Sequence, residues 1–126
     1  MISKEPVCST FEILPPTLRR RIVEIVLAEG YSGKEVAELM GVSPSAVSRY
    51  IHGSLAPSPN TLCKLYYSVD ERTRTKIAEE LTLILWLYLR NVLEDAIKKN
   101  IDITSILEEI ADYISLQLSK LMHKLR

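Results

Sequence analysis

At 126 residues, with 47% apolar and 25% charged side chains, the chain can build one ordinary domain or a compact domain with an interaction appendage, and its composition excludes a disordered tail. Sixteen basic residues balance sixteen acidic ones, so no whole-molecule field points to a nucleic acid or a membrane surface, and such a partner must be met by local geometry. The start, Met1-Ile2-Ser3-Lys4-Glu5-Pro6, lacks a basic and then apolar secretory signal. The most apolar stretch, Leu81 to Leu93, is interrupted by Arg90 and Asn91 and is too short to span a bilayer. A cytoplasmic location without membrane contact is expected.

Residues 1–13 read as an arm or a short helix, because Val7, Phe11 and Ile13 alternate while Ser9 and Glu12 have the spacing of a helix start. Cys8 lies here and Cys63 far downstream. They share no metal-type spacing with each other or with His52 and His123, so free, mostly inert thiols and no metal site are expected. Pro15-Pro16 opens the next helix, whose apolar face carries Leu18, Ile22, Ile25 and Val26 and whose end is marked by Gly30.

Ser32 with Glu35 three residues later predicts a capping box for a helix stopped by Gly41. Ser43-Pro44 opens another helix, which runs through His52 to Gly53. Ser58-Pro59 starts a short helix with Leu62, Leu65 and Tyr66 inward. Ser68-Val69-Asp70-Glu71 reads as a second capping box, opening a long helix to about Asn100. A last helix starts at Asp102, with Ile101 and Ile106 as a hydrophobic staple, and ends among Lys120, His123, Lys124 and Arg126, which suit the negative end of its dipole.

The segment from Gly33 to Gly53 solves a close-packing problem. Ala37 is small where two helices approach, Gly41 takes the left-handed turn, and Val36, Met40, Val42, Val47 and Tyr50 supply the shared apolar contact. Ser43, Ser45, Ser48, Arg49 and His52 are left outward, together with Pro44, on a helix thin enough for a major groove. Arg49 is the expected base reader, since a guanidinium can meet both acceptors of a guanine edge. Ser32, Gly33 and Lys34 would face the DNA backbone, where free amides and a cation hold a phosphate. Arg19, Arg20, Arg21 and Lys64 are looser phosphate candidates.

Through Ala37, the Gly41-Val42-Ser43 turn and Ala46-Val47-Ser48-Arg49 followed by Gly53, the chain resembles the Xre/lambda-repressor-like helix-turn-helix family. It looks closest to short archaeal predicted regulators, in which a similar Leu14-Pro15 and Leu18-Arg19-Arg20 precede the motif. The resemblance covers roughly residues 14–66. It implies sequence-specific binding of double-stranded DNA as a dimer, without catalysis. After the fourth helix of that pattern the chain departs from it, a long helix standing where a short one is usual.

Residues Leu83-Ile84-Leu85-Trp86-Leu87-Tyr88-Leu89 are apolar all round, which a helix on a monomer's surface does not tolerate. The last helix, with Ile103, Leu107, Ile110, Ile114, Leu118, Leu121 and Leu125 at spacings of three and four, is expected to cover one face. A second copy of the chain is expected to cover the rest, through Leu83, Trp86, Leu87, Leu89, Ile110, Ile114 and Leu121.

The expected architecture is therefore all-α: an arm or short helix at 1–13, a helix-turn-helix DNA-binding domain of about four short helices at 14–67, and two longer helices forming a dimerisation region at 68–126. No nucleophile with a nearby base and no carboxylate pair is apparent, so neither catalysis nor a cofactor is expected. The alternative is an adaptor or antitoxin-like protein, whose helical half binds an unidentified second protein and whose DNA contact is secondary.

Overall fold

A computed structural model describes residues 5–125. These form seven α-helices and, among the described residues, no strand: α1 Pro6–Ile13, α2 Pro16–Ala28, α3 Gly33–Met40, α4 Pro44–His52, α5 Pro59–Ser68, α6 Glu71–Lys98 and α7 Thr104–Lys124. Four of them (α1, α2, α4 and α5) begin on proline, which has no amide to leave unpaired and a φ already suited to a helix.

The expected all-α plan holds, and the segment 1–13 contains a helix. That helix enters the core. Cys8 and Phe11 of α1 are fully buried, and α1 packs on α5. The same core contains Ile22 and Val26 of α2, Val36 and Met40 of α3, Val47 of α4, Leu62 and Leu65 of α5, and Ile77 and Leu81 of α6. Packing of α1 against α5 brings Cys8 and Cys63 to a Cα separation of 5.3 Å, and they form a disulfide. The expected free thiols are therefore corrected. The link spans 55 residues of sequence, and no spacing pattern announces a pairing made by tertiary docking.

The start of α6 also differs from expectation. Ser68 stays helical as the last residue of α5, and Asp70 caps α6 instead. The Thr73 hydroxyl donates to Asp70 Oδ1 at 2.6 Å, and the Thr73 amide lies 3.4 Å from Oδ2. Arg74, one turn into α6, reaches back to the end of α5. It donates to the carbonyls of Tyr66 at 2.9 Å, Tyr67 at 3.3 Å and Val69 at 2.9 Å, and lies over both tyrosine rings. These are carbonyls of the last turn of α5 and of its capping residue Val69, which have no partner within the helix.

The chain divides into two compact units, one ending at Leu83 and the other starting at Ile84. In the second unit α6 ends at Lys98, Asn100 takes a φ of 54°, and α7 follows, with Asp102 accepting the Thr104 amide at 3.0 Å. Leu93, Ala96, Ile97, Ile101, Ile103 and Leu107 line a crevice at this elbow. Beyond it α7 has no buried residue, so the expected covering of α6 by α7 along its length does not occur within one chain. Trp86 is 46% exposed, and Leu83, Leu87, Ile114 and Leu121 are exposed as well, while Leu89 and Ile110 are half-buried. No helix is long and apolar enough to cross a membrane among the described residues.

Candidate nucleic-acid interface

Helices α3 and α4 are delimited by local signals that act in pairs. The Ser32 hydroxyl accepts the Glu35 amide at 3.1 Å and the Glu35 carboxylate accepts the Ser32 amide at 3.0 Å, completing the capping box. The Ser32 amide first, and the Ser32 hydroxyl after it, hold the Glu35 carboxyl below the usual carboxylate range. At the other end Gly41 has φ 72°, and the Val42 amide returns to the Ala37 carbonyl at 3.0 Å. A side chain at that φ is strained, which explains the glycine. Ser43 then caps α4 by accepting the Ala46 amide at 3.1 Å. Gly53, at φ 81°, ends it, with the Ser54 amide on the Arg49 carbonyl at 3.1 Å.

Only three residues lie between α3 and α4, so the two helices pack together directly. Val36, Ala37 and Met40 from α3 and Val47 and Tyr50 from α4 are buried, and burial raises the Tyr50 hydroxyl above its usual range. With Val47 and Tyr50 turned inward, the period of the helix leaves Ser45, Ser48, Arg49 and His52 along one outer stripe. All four are exposed, as are Ser43 and Pro44 at the start of the helix.

The members of this stripe differ in how free they are. Among the described residues the Arg49 side chain makes no hydrogen bond and no ion pair, so its guanidinium is available. His52 is engaged through Nδ1, which lies 2.7 Å from the Ser48 carbonyl. A carbonyl only accepts, so Nδ1 carries the proton and Nε2 is the ring nitrogen left for another partner. Ser43 has given its oxygen to the Ala46 amide and retains its O–H as a donor. Pro44 brings no amide, and the Ser45 amide, in the first turn, has no carbonyl within α4 to meet.

At the start of α3 the amides of Gly33 and Lys34 likewise have no carbonyl within the helix. Lys34 is exposed. Gly33 is half-buried, and a side chain added there would first meet Val47 of α4 at 4.0 Å, so it also lies at the contact of the two helices. Glu35 beside these donors opposes an anion, and the cation of Lys34 offsets it.

The looser candidates separate clearly. Arg21 is engaged, with Nε 2.6 Å from Glu80 and Nη1 3.3 Å from Glu24. The bond to Glu80 is the main reason its guanidinium pKa is raised. It is not a free phosphate contact. Arg19 and Arg20 are half-buried on α2. Lys64 is exposed on α5, and its Nζ would lie 3.6 Å from a Cβ placed on Gly41. That position beside the turn is made by packing of α3 on α5.

A family model described as Helix-turn-helix matches residues 22–65, from within α2 into α5. The match takes in α3, the Gly41 turn and α4, and supports the lambda-repressor-like resemblance read from the sequence. No curated protein and no solved structure matches the chain.

Proposed function

We propose that the chain is a transcription regulator that binds double-stranded DNA sequence-specifically as a homodimer, with α4 in the major groove. The observation that carries this reading is the outer stripe of α4. Arg49, Ser45, Ser48 and His52 stand exposed on a short helix whose opposite face is locked into the core by Val47 and Tyr50. A rigid backing with exposed polar side chains, Arg49 unengaged among them, is what reading base edges requires. The helix-turn-helix match at 22–65 supports DNA binding.

In this reading Arg49 contacts bases, Ser45, Ser48 and His52 contact bases or phosphates, and Ser32, Gly33, Lys34, Ser43 and Pro44 form the backbone-facing edge. Dimerisation is assigned to the second unit together with Leu83. Its exposed apolar side chains, Trp86 and Leu87 on α6 and Ile114 and Leu121 on α7, are of the kind that mark an interaction site. The same side chains favour, as a second reading, an adaptor whose partner is another protein. Selection of bound fragments from random duplex DNA, followed by footprinting, tests the main reading. A protected pair of half-sites one helical turn apart is expected. Recovery of unrelated sequences only, with no footprint, contradicts it.

A further inference from the structure

One stripe of apolar residues along α7 and its two capping positions follows an order that reads the same in both directions, with Tyr113 and Leu116 lying off it. From Ile103 through Leu107, Ile110, Ile114, Leu118 and Leu121 to Leu125 the spacings are four, three, four, four, three and four, with Ile114 at the centre. A stripe with this symmetry matches itself when a second helix is laid on it antiparallel, every apolar residue then meeting an apolar residue. Among the described residues none takes up that stripe beyond the elbow, since α7 has no buried residue and Ile114, Leu118, Leu121 and Leu125 are all more than half exposed.

Charge selects the direction. Glu108, Glu109 and Asp112 lie before Ile114, while Lys120, His123 and Lys124 lie after it. None of the six forms an ion pair among the described residues. A parallel partner would set acid beside acid and base beside base, whereas an antiparallel one sets each acidic half against a basic half. Antiparallel helix dipoles add to the same preference. Glu109 and Lys120 lie on the same side of α7 at matching heights about Ile114, so an antiparallel partner sets their long side chains near each other at the outer rim of the pair, twice by symmetry. The elbow gives a second fit: its crevice of about 210 Å³, lined by Leu93, Ile97, Ile101 and Leu107, is apolar and open. It lies where the end of an antiparallel partner, with Leu121 and Leu125, would arrive.

We propose that α7 pairs antiparallel with α7 of a second copy, with Ile114 on the two-fold axis and the end of each helix seated in the other copy's elbow. The proposal rests on the homodimer reading and gives that dimer its contact and direction. It also commits the two copies to an isologous interface, in which residue i meets residue j and j meets i.

Single cysteines introduced into the full chain test it, because Cys8 and Cys63 are buried in their own disulfide. Ile114→Cys should cross-link to itself on oxidation or with a short bismaleimide. Leu107→Cys and Leu121→Cys should each fail to link alone and should link when the two variants are mixed. Self-linking of Leu107→Cys shows a parallel pair and overturns the proposal, as does absence of any link in a dimeric protein.

Charge reversal gives an independent reading by analytical ultracentrifugation, with circular dichroism to establish that each variant is helical. Glu109→Lys should raise the dimer dissociation constant about tenfold or more, and the double variant Glu109→Lys with Lys120→Glu should recover most of it. A double variant as weak as the single one contradicts the pairing. A wild-type chain that stays monomeric overturns both this contact and the homodimer. A dimer with the wrong links overturns this contact alone.

Discussion

The Tyr31 hydroxyl donates to Asp70 Oδ1 at 2.5 Å and accepts the Asp70 amide at 3.0 Å, so the residue before the cap of α3 is fastened to the residue that caps α6. Together with Thr73, whose hydroxyl is the largest cause, this bond lowers the Asp70 pKa from 3.8 to about 2. A carboxylate whose pKa is depressed on folding contributes stability that is complete above its unfolded value and is lost as the pH falls through its folded one. The loss from this group should therefore fall between about pH 4 and about pH 2. Tyr31→Phe removes one of the two side-chain donors, moves the folded pKa back toward 3.8 and makes stability less steep in that window. Urea unfolding of both proteins at several acidic pH values checks this; equal slopes would mean that the hydroxyl does not hold the carboxylate.

The disulfide between Cys8 and Cys63 closes a loop of 55 residues' separation, for which the chain-entropy account gives about 4 kcal/mol. The eight-residue α1 is too short to persist unaided. Reduction, or Cys8→Ser with Cys63→Ser, should therefore lower the unfolding free energy by up to this amount and expose α1 first. Thiol titration under denaturing conditions should find no free thiol in the unreduced protein. Two titratable thiols there, with an unfolding midpoint that reductant leaves unchanged, would contradict the link.

Trp86 is half exposed in a run of apolar residues on α6, and in the proposed homodimer it would lie at or beside the contact. Trp86→Glu places a charge where desolvation at the contact is costly, and Arg90, the nearest cation along α6, is already paired with Glu94. Dimers should dissociate, and DNA affinity should fall about a hundredfold or more, because two linked half-sites give avidity that one recognition helix lacks. Light scattering and gel-shift titration read the two effects. A helical variant that remains dimeric and binds normally removes Trp86 from the interface.

What was legible in the sequence was what neighbouring residues decide. Ser32 with Glu35, Gly41, Ser43-Pro44, Gly53 and Ser58-Pro59 each act within one turn of a helix, and each marks the boundary found in the fold. Features decided by distant residues were not legible. Asp70 displaces Ser68 as the cap of α6 because Tyr31, remote in sequence, and Thr73 both engage its carboxylate. Arg21 is lost as a phosphate contact because Glu80, on a different helix, takes its guanidinium. The pairing of Cys8 with Cys63 depends on α1 docking on α5, and the apolar stripe of α7 is visible in sequence while its lack of cover within one chain is not.

Lys34 is exposed and positive at the open end of α3, a position suited to a phosphate. Lys34→Ala should weaken specific and random duplex alike and make the logarithmic salt dependence of binding shallower by about one unit, since one counterion release is lost. Fluorescence titration over a series of salt concentrations measures the slope. An unchanged slope would take Lys34 out of the interface.

The central claim is that α4 reads base edges, and Arg49, unengaged in the protein, is the residue on which it turns. The most direct measurement is a competition titration of wild type and Arg49→Ala against the selected site and its single-base variants, at one fixed salt concentration. Loss of a bidentate guanine contact should cost about 1–3 kcal/mol on the selected site and abolish discrimination at one base pair per half-site, leaving random duplex almost unaffected. Circular dichroism should show unchanged stability, because the side chain is exposed. Equal weakening on every sequence, with discrimination intact at all positions, would show that Arg49 meets only phosphate and would contradict the account.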